Sequence, residues 1–368
     1  MPEVEFVNVT KRYGKKKVLE NVSFKVEDGE YAVLCGPTGS GKTTILFLAA
    51  GILRPDEGEI YIDGELMNSV PPEDRNLALM FDVFALFPHL TVIENVIYGL
   101  IARGVPLEDA IKSGEEILDM MFLSGWEKAY PHELSGGMKQ RVALARAIAS
   151  GATLILLDEP LSALDAKIAL ELSYELRRII KDLKITAIHA THNVREAMMM
   201  ADKMIILRDG KILQIGTPEE IYKNPSNLFV AGYVSDPNFL VGTLVRKEGG
   251  RCVVELENGV EICTSEGEIE PEKRVVVCVK TEDMEISKKD LNLRNSLEGI
   301  VRDVLFIGEF TRFEVEVEGL KENIVVRKSG RYINDFKLGD HVKVWFEPDH
   351  AKLFLYPEEG LRKAISIE

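Results

Sequence analysis

The chain has 368 residues, 46% hydrophobic and 29% charged, a balance that suits two or three globular domains. Its formal net charge of −15 argues against a general nucleic-acid binder, whose phosphate contacts need basic clusters. The longest apolar stretch, Ile45 to Leu53, is too short to cross a bilayer. The first residues lack the basic-then-apolar order of a secretory signal, so a cytoplasmic chain is expected.

Residues 1 to 34 alternate apolar and polar positions, with Val4, Phe6 and Val9, then Val18, Val22, Phe24 and Val26. This predicts strands, broken by turns at Tyr13–Lys17 and Asp28-Gly29, with Lys15, Lys16 and Lys17 as a solvated hairpin turn. Tyr31–Leu34 reads as a buried strand running into Gly36-Pro37-Thr38-Gly39-Ser40-Gly41-Lys42-Thr43. Residues 42 to 51 then read as a helix closed by Gly51. A strand before the glycines and a helix after them is the setting of a phosphate-binding loop. Glycines let backbone N–H groups turn toward phosphate oxygens, and the helix N-terminus adds its dipole. Lys42 brings a positive charge to the β- and γ-phosphates, Thr43 offers a hydroxyl to Mg²⁺, and Thr44 follows within reach of the nucleotide.

Pro55–Gly64 reads as a turn and a short strand. From Val92 to about Ala149 the pattern is helical, with Met120, Met121, Phe122 and Leu123 on apolar faces. This predicts a helical subdomain, about residues 88 to 150, inserted into an α/β core. Thr153–Leu157 is a second apolar strand, and it ends in Asp158 and Glu159. Asp158 is placed to hold Mg²⁺, and Glu159 to act as the general base that polarises an attacking water. Ile185–His189 is a third strand, with His192 just beyond it, before a helix from Val194 to Met200. A hairpin turns at Asp209-Gly210.

The composition shifts at Asp236-Pro237, beyond which short β runs dominate. Val275–Asp283 resembles His341–Asp349, and Gly242–Arg246 resembles the Gly299–Arg302 step, which predicts a duplicated small β-barrel. Cys35, Cys252, Cys263 and Cys278 form no Cys-x-x-Cys pair and read as small buried hydrophobes on strands.

Leu134-Ser135-Gly136-Gly137-Met138-Lys139-Gln140-Arg141 stands between the phosphate loop and the Asp158 strand. With that order of motifs, the chain resembles the ATP-binding-cassette family along its whole length. The resemblance implies a P-loop NTPase domain over residues 1 to 235 and a β-rich, OB-like regulatory (TOBE) domain over 236 to 368. It implies an ATPase that uses ATP and Mg²⁺ and works as a homodimer. ATP would lie between Tyr13, stacking on adenine, and the Gly36–Thr43 loop of one chain, with Ser135, Gly136 and Gly137 of the other capping the γ-phosphate. His192 would lie near that phosphate, and Ser162–Asp165 would run along the dimer seam.

Gly216–Pro225, Phe229-Val-Ala-Gly232 and Ser235–Leu240 resemble the linker and tail opening of carbohydrate importers. That implies a peripheral subunit on the cytoplasmic face of the cell membrane, beneath two permease subunits that an external binding protein feeds. Phe84–Val92 matches the region that receives a coupling helix from the permease. Oxyanion, polyamine and iron importers share much of this architecture. A soluble member acting on nucleic acid or ribosomes would usually carry two ATPase domains or a basic arm, and this chain has neither. One position departs from the family: Asp82 stands where a Gln is usual, and it is expected to contact Mg²⁺.

Overall fold

The apolar runs of the first half become the strands of a mainly parallel sheet. The computed structural model describes every residue except Met1, Glu266, Glu268, 290–292, 331–334 and Glu368. The chain forms two compact units, Met1–Asn224 and Pro225–Glu368. In chain order the first contains β1 (Val4–Tyr13), β2 (Lys16–Val26), β3 (Tyr31–Cys35), α1 (Lys42–Ala49), β4 (Glu57–Ile62), β5 (Glu65–Leu66), β6 (Leu77–Met80), α2 (Val92–Ala102), α3 (Leu107–Met120) and α4 (Gly136–Ala149). It continues with β7 (Leu154–Asp158), α5 (Ala166–Asp182), β8 (Thr186–Thr191), α6 (Val194–Met200), β9 (Lys203–Arg208), β10 (Lys211–Gly216) and α7 (Pro218–Lys223).

Six strands order as β10-β9-β3-β8-β7-β6, and only the β10-β9 pair is antiparallel. Every residue of β3, β7 and β8 is buried, as expected of parallel strands covered on both faces. Each fully buried Val, Leu or Ile there contributes about 1.5–3 kcal/mol. A four-stranded antiparallel sheet, β2-β1-β4-β5, adds Phe6, Phe24 and Ile60 to the same apolar core. The expected P-loop α/β fold is present.

Local differences have local reasons. Lys16 and Lys17 lie on β2, because β1 and β2 stay paired up to Tyr13↔Lys16 and only Gly14-Lys15 turn. Phe122 is 53% exposed with φ +54, so Met121–Leu123 is the turn that ends α3 and not a helix face. β6 and α5 extend the expected set of elements. Helix α5 buries Leu172, Leu176, Ile179 and Ile180 on one face at helical spacing, and Asp165 caps its start.

The second unit holds α8 (Leu228–Val234), β11 (Pro237–Glu248), β12 (Arg251–Leu256), β13 (Glu261–Thr264), β14 (Arg274–Lys280), β15 (Glu285–Ser287), β16 (Ser296–Phe306), β17 (Phe310–Val317), β18 (Ile324–Ser329), β19 (His341–Trp345), β20 (Ala351–Leu355) and α9 (Leu361–Ile365). Its two antiparallel sheets order as β13-β12-β11-β14-β20 and β18-β17-β16-β19-β15. Gly242 faces Leu256 and Val275, and Gly299 faces Val317 and Val342. Both ladders then shift register, after Leu244 and after Val301. The halves are therefore repeats in topology. Val275 matches Val342, one residue from the alignment that sets it beside His341; the acidic turns that suggest that alignment do not set strand register.

The two sheets share one apolar core, from Leu244, Val275 and Val277 to Val301, Phe313 and Val344. They also exchange strands. β15 follows β14 in sequence but pairs with β19, while β20 follows β19 and pairs with β14. The four cysteines lie on strands, and of the four Cys263 alone is only partly buried. Among the described residues, no helix is long and apolar enough to cross a membrane.

Candidate nucleotide site

Four neighbouring parallel strands deliver the site from their carboxyl ends, where open α/β sheets bind ligands. The phosphate loop leaves β3, Asp158 and Glu159 end β7, Thr191 and His192 end β8, and Asp82 follows β6.

The loop is shaped by close backbone approach. A Cβ at Gly36 would lie 2.2 Å from Leu207 O, so any side chain there would push β9 away. Gly41 caps α1 at φ +106, a left-handed conformation that also brings it against Leu19. The Asp209-Gly210 hairpin buttresses the loop from below. Gly210 N–H donates to Ser40 O at 3.1 Å, and Gly210 O accepts from Glu20 N at 2.9 Å. This support was not read from the sequence, because the two segments lie far apart in the chain.

Lys42 is 6% exposed, and its ammonium donates to Gly36 O at 2.7 Å and Pro37 O at 3.0 Å. Burial lowers its pKa, opposed by the nearby charges of Glu159, Cys35 and Asp158. Ser40 Oγ is buried with no hydrogen-bond partner. Thr43 is exposed and its hydroxyl donates to the Asp158 carboxylate. Thr44 is buried on the same turn. Pro37, Thr38 and Gly39 form the rest of the loop, and Tyr13 stands half-exposed at the end of β1.

Asp158 is 1% exposed, and its Oδ2 is enclosed without a hydrogen-bond partner among the described residues. Burial pushes its pKa up to about 6; the Thr43 hydrogen bond and Lys42 oppose this, while Asp82 and Glu159 add to it. Asp82 itself is exposed.

Glu159 has φ +48, a costly conformation for a residue with a side chain. Its backbone is pinned on both sides. Its N–H donates to Ala190 O at 2.9 Å, and its carbonyl accepts from Gln140 Nε2 at 2.9 Å and Ser162 Oγ at 3.0 Å. Its carboxylate lies 2.9 Å from His192 Nδ1 and accepts from His192 N at 3.1 Å. Glu159 and His192, separated by 33 positions in sequence, are therefore in direct contact.

Ser135 caps α4, its Oγ accepting from Met138 N at 3.3 Å. Ser135 and Gly136 are exposed, while Gly137 sits against Ala163 and Leu164. Gln140 is the bridge that sequence reading passed over. Fully buried, it holds Glu159 O and Ser162 Oγ and accepts from Ala163 N at 2.9 Å. The helix of the Leu-Ser-Gly-Gly string is thus tied to the end of β7 and to the segment before Asp165, whose Oδ1 accepts from Ile168 N at 3.1 Å. Asp165 caps α5 and Ser135 caps α4, and both are exposed.

The loop after Asp82 is anchored from the helical insert. Arg146 of α4 donates to Ala85 O at 2.9 Å and Phe84 O at 3.3 Å, and lies over the Phe87 ring at 5.3 Å. Buried Asn95 of α2 accepts from Phe87 N at 2.8 Å and donates to the carbonyls of Phe87, Leu90 and Thr91. Neither anchor stood out in the sequence, since a lone Arg or Asn on a helix is usually a surface residue.

Residues 19–162 match the family described as ABC transporter, and residues 277–354 match a TOBE domain. Among solved structures, the chain is similar to the dimeric structure of MJ0796, a bacterial ABC transporter cassette. The identity is 32% and the TM-score 0.55, covering 58% of this chain and 98% of that one. It is also similar to the dimeric structure of a post-hydrolysis state of the ATP-binding cassette MJ0796 bound to ADP and Pi, at 33% identity and a TM-score of 0.55. That match again covers 58% of this chain and 98% of the other. The likeness spans nearly the whole of that cassette, not one motif. The chain belongs to the ABC transporter family and combines an ATPase cassette with a TOBE domain.

Proposed function

We propose that this chain powers a membrane importer as one of two ATPase subunits on the cytoplasmic face, beneath two permease subunits. The observation that carries the ATPase chemistry is the contact of Glu159 with His192 beside buried Asp158 and Lys42. On ATP binding, Lys42 exchanges its two loop carbonyls for β- and γ-phosphate oxygens, and backbone N–H groups of Gly39–Thr43 surround the phosphates. Glu159 orients the attacking water and accepts its developing proton, and His192 holds that carboxylate. Tyr13 supplies the adenine platform. Ser135–Gly137 and Asp165 act on the site of a second copy, a reading supported by the exposure of Ser135, Gly136 and Asp165 and by the dimeric MJ0796 structures.

The residues present also fit Mg²⁺. Among the described residues no cluster of three His, Cys, Asp or Glu side chains could hold a metal alone. Mg²⁺ usually takes one or two carboxylates and completes its shell with phosphates and water. The unpartnered Asp158 Oδ2 beside the Thr43 hydroxyl is such a donor pair. When bound there, the ion neutralises charge on the β- and γ-phosphates. Asp82 would add a third ligand. Asp82→Ala should then raise the Mg²⁺ concentration for half-maximal ATPase, and Asp82→Gln should work at least as well as wild type. An unchanged Mg²⁺ requirement in Asp82→Ala would return the residue to solvent. In the wild-type chain the requirement should climb as pH falls through about 6, where a proton competes with the ion for Asp158.

The substrate we assign to the importer is a sugar. The support is the Gly216–Pro225 linker and the Ser235–Leu240 opening of the tail. Transport of labelled sugars by proteoliposomes holding the permease pair and this chain tests the assignment, with oxyanion, polyamine and iron as the competing substrates. Residues 236–368 serve regulation. Deleting them should leave ATP affinity within a few-fold of wild type by fluorescent-nucleotide titration, while control of turnover is lost. Loss of all nucleotide affinity in a folded truncation would place the boundary or the role elsewhere.

A further inference from the structure

Behind Glu159 runs a file of buried polar side chains with no part in the chemistry above. Thr191, the last residue of β8, is 0% exposed. Its Oγ1 lies 3.5 Å from Glu159 Oε2 and 3.2 Å from Glu196 Oε2, and it accepts from Asn193 N at 3.0 Å. Glu196 lies in the first turn of α6, 7% exposed, with its Oε1 3.0 Å from His189 Nε2. His189 Nδ1 is 3.2 Å from Tyr31 Oη, and both residues are fully buried. Burial, then the charge of Glu196, raises the Tyr31 phenol well above its ordinary value, so it keeps its proton. It donates that proton to Nδ1, while His189 Nε2 and Glu196 Oε1, close in space, are not hydrogen-bonded to each other.

The hydroxyl proton of Thr191 decides what this file does. Asn193 N–H fills a lone pair of the hydroxyl, so the single proton remains for one of two carboxylates. Thr191 Oγ1 stands between the two carboxylates, 3.2 Å from Glu196 and 3.5 Å from Glu159, and so links them. The two oxygens of Glu159 are not equivalent. Oε1 is reached by both His192 N and His192 Nδ1, whereas Oε2 has Thr191 as its partner among the described residues. Oε2 keeps a lone pair, and its direction depends on the Thr191 contact. The strained backbone at φ +48 does not hold a flexible carboxylate in one plane by itself.

We propose that Thr191, braced by Glu196, is a positioning residue that aims Glu159 Oε2 at the attacking water. The inference rests on the reading of Glu159 as the base. Thr191→Val keeps the β-branched shape and removes the hydroxyl. In the full-length chain it should lower kcat about tenfold, roughly one positioned hydrogen bond in the transition state, and leave the KM for ATP within about twofold. Thr191→Ser should restore kcat to within about threefold of wild type. Placed in a Glu159→Gln chain, Thr191→Val should reduce the single-turnover rate no further, because the group it aims is already gone. An unchanged kcat in Thr191→Val overturns the proposal. So does a Ser variant as slow as Val with wild-type thermal stability, and so does an undiminished Thr191→Val effect in the Glu159→Gln chain. Full activity of Glu159→Gln alone overturns the base assignment, and this inference with it.

Discussion

Glu159→Gln should cut steady-state ATP turnover by about 10²–10⁴-fold, the usual contribution of a positioned general base, while ATP still binds. The amide keeps the shape of the carboxylate and can still accept from His192 N, so the pinned backbone at Ala190, Gln140 and Ser162 should be undisturbed. What it loses is the basic oxygen. With ATP bound and hydrolysis blocked, the pair of chains should remain closed and run as a dimer on size exclusion with Mg²⁺. Turnover by malachite-green phosphate release and binding by a fluorescent ATP analogue separate the two effects. Wild-type turnover in this variant would remove Glu159 from the mechanism.

An equally large effect is expected from the pair Lys42 and Ser135. Lys42→Ala removes the buried ammonium of the phosphate loop, and Ser135→Arg places a bulky side chain at the exposed start of α4. Each pure variant should be inactive, because both sites of a symmetric dimer would carry the lesion. A mixture of the two should recover activity. In a mixed dimer, the intact loop of the Ser135→Arg chain faces the intact Ser135–Gly137 of the Lys42→Ala chain, giving one complete site. Normal hydrolysis by pure Ser135→Arg would show that Ser135 does not act across a dimer. The folded chain alone offers a simpler role, since Ser135 caps its own helix. The mixing experiment separates capping from trans action, because a lost cap costs about 0.5–2 kcal/mol of stability but is not rescued by a second chain.

The sequence by itself determined the fold class, and the reason is local. Gly36–Thr43 must be a loop between strand and helix because its glycines and lysine suit few other backbones, and the runs at Tyr31–Leu34 and Leu154–Leu157 are apolar on both faces. It also placed Asp158, Glu159 and His192 at strand ends and Lys42 at the helix start after the β3 loop, where chain order alone brings candidate chemistry to one edge. Only the tertiary structure decided which of these touch. Glu159 meets His192 because β7 and β8 are neighbours in the sheet, and Gln140 and Gly210 become supports because distant segments pack on the site. The β tail shows the same division. Its repeat is visible in Gly242 and Gly299, but the exchange of β15 and β20 between the sheets is a choice of pairing partner. Pairing is set by hydrogen bonds and packing across the chain, so no string of residues could disclose it.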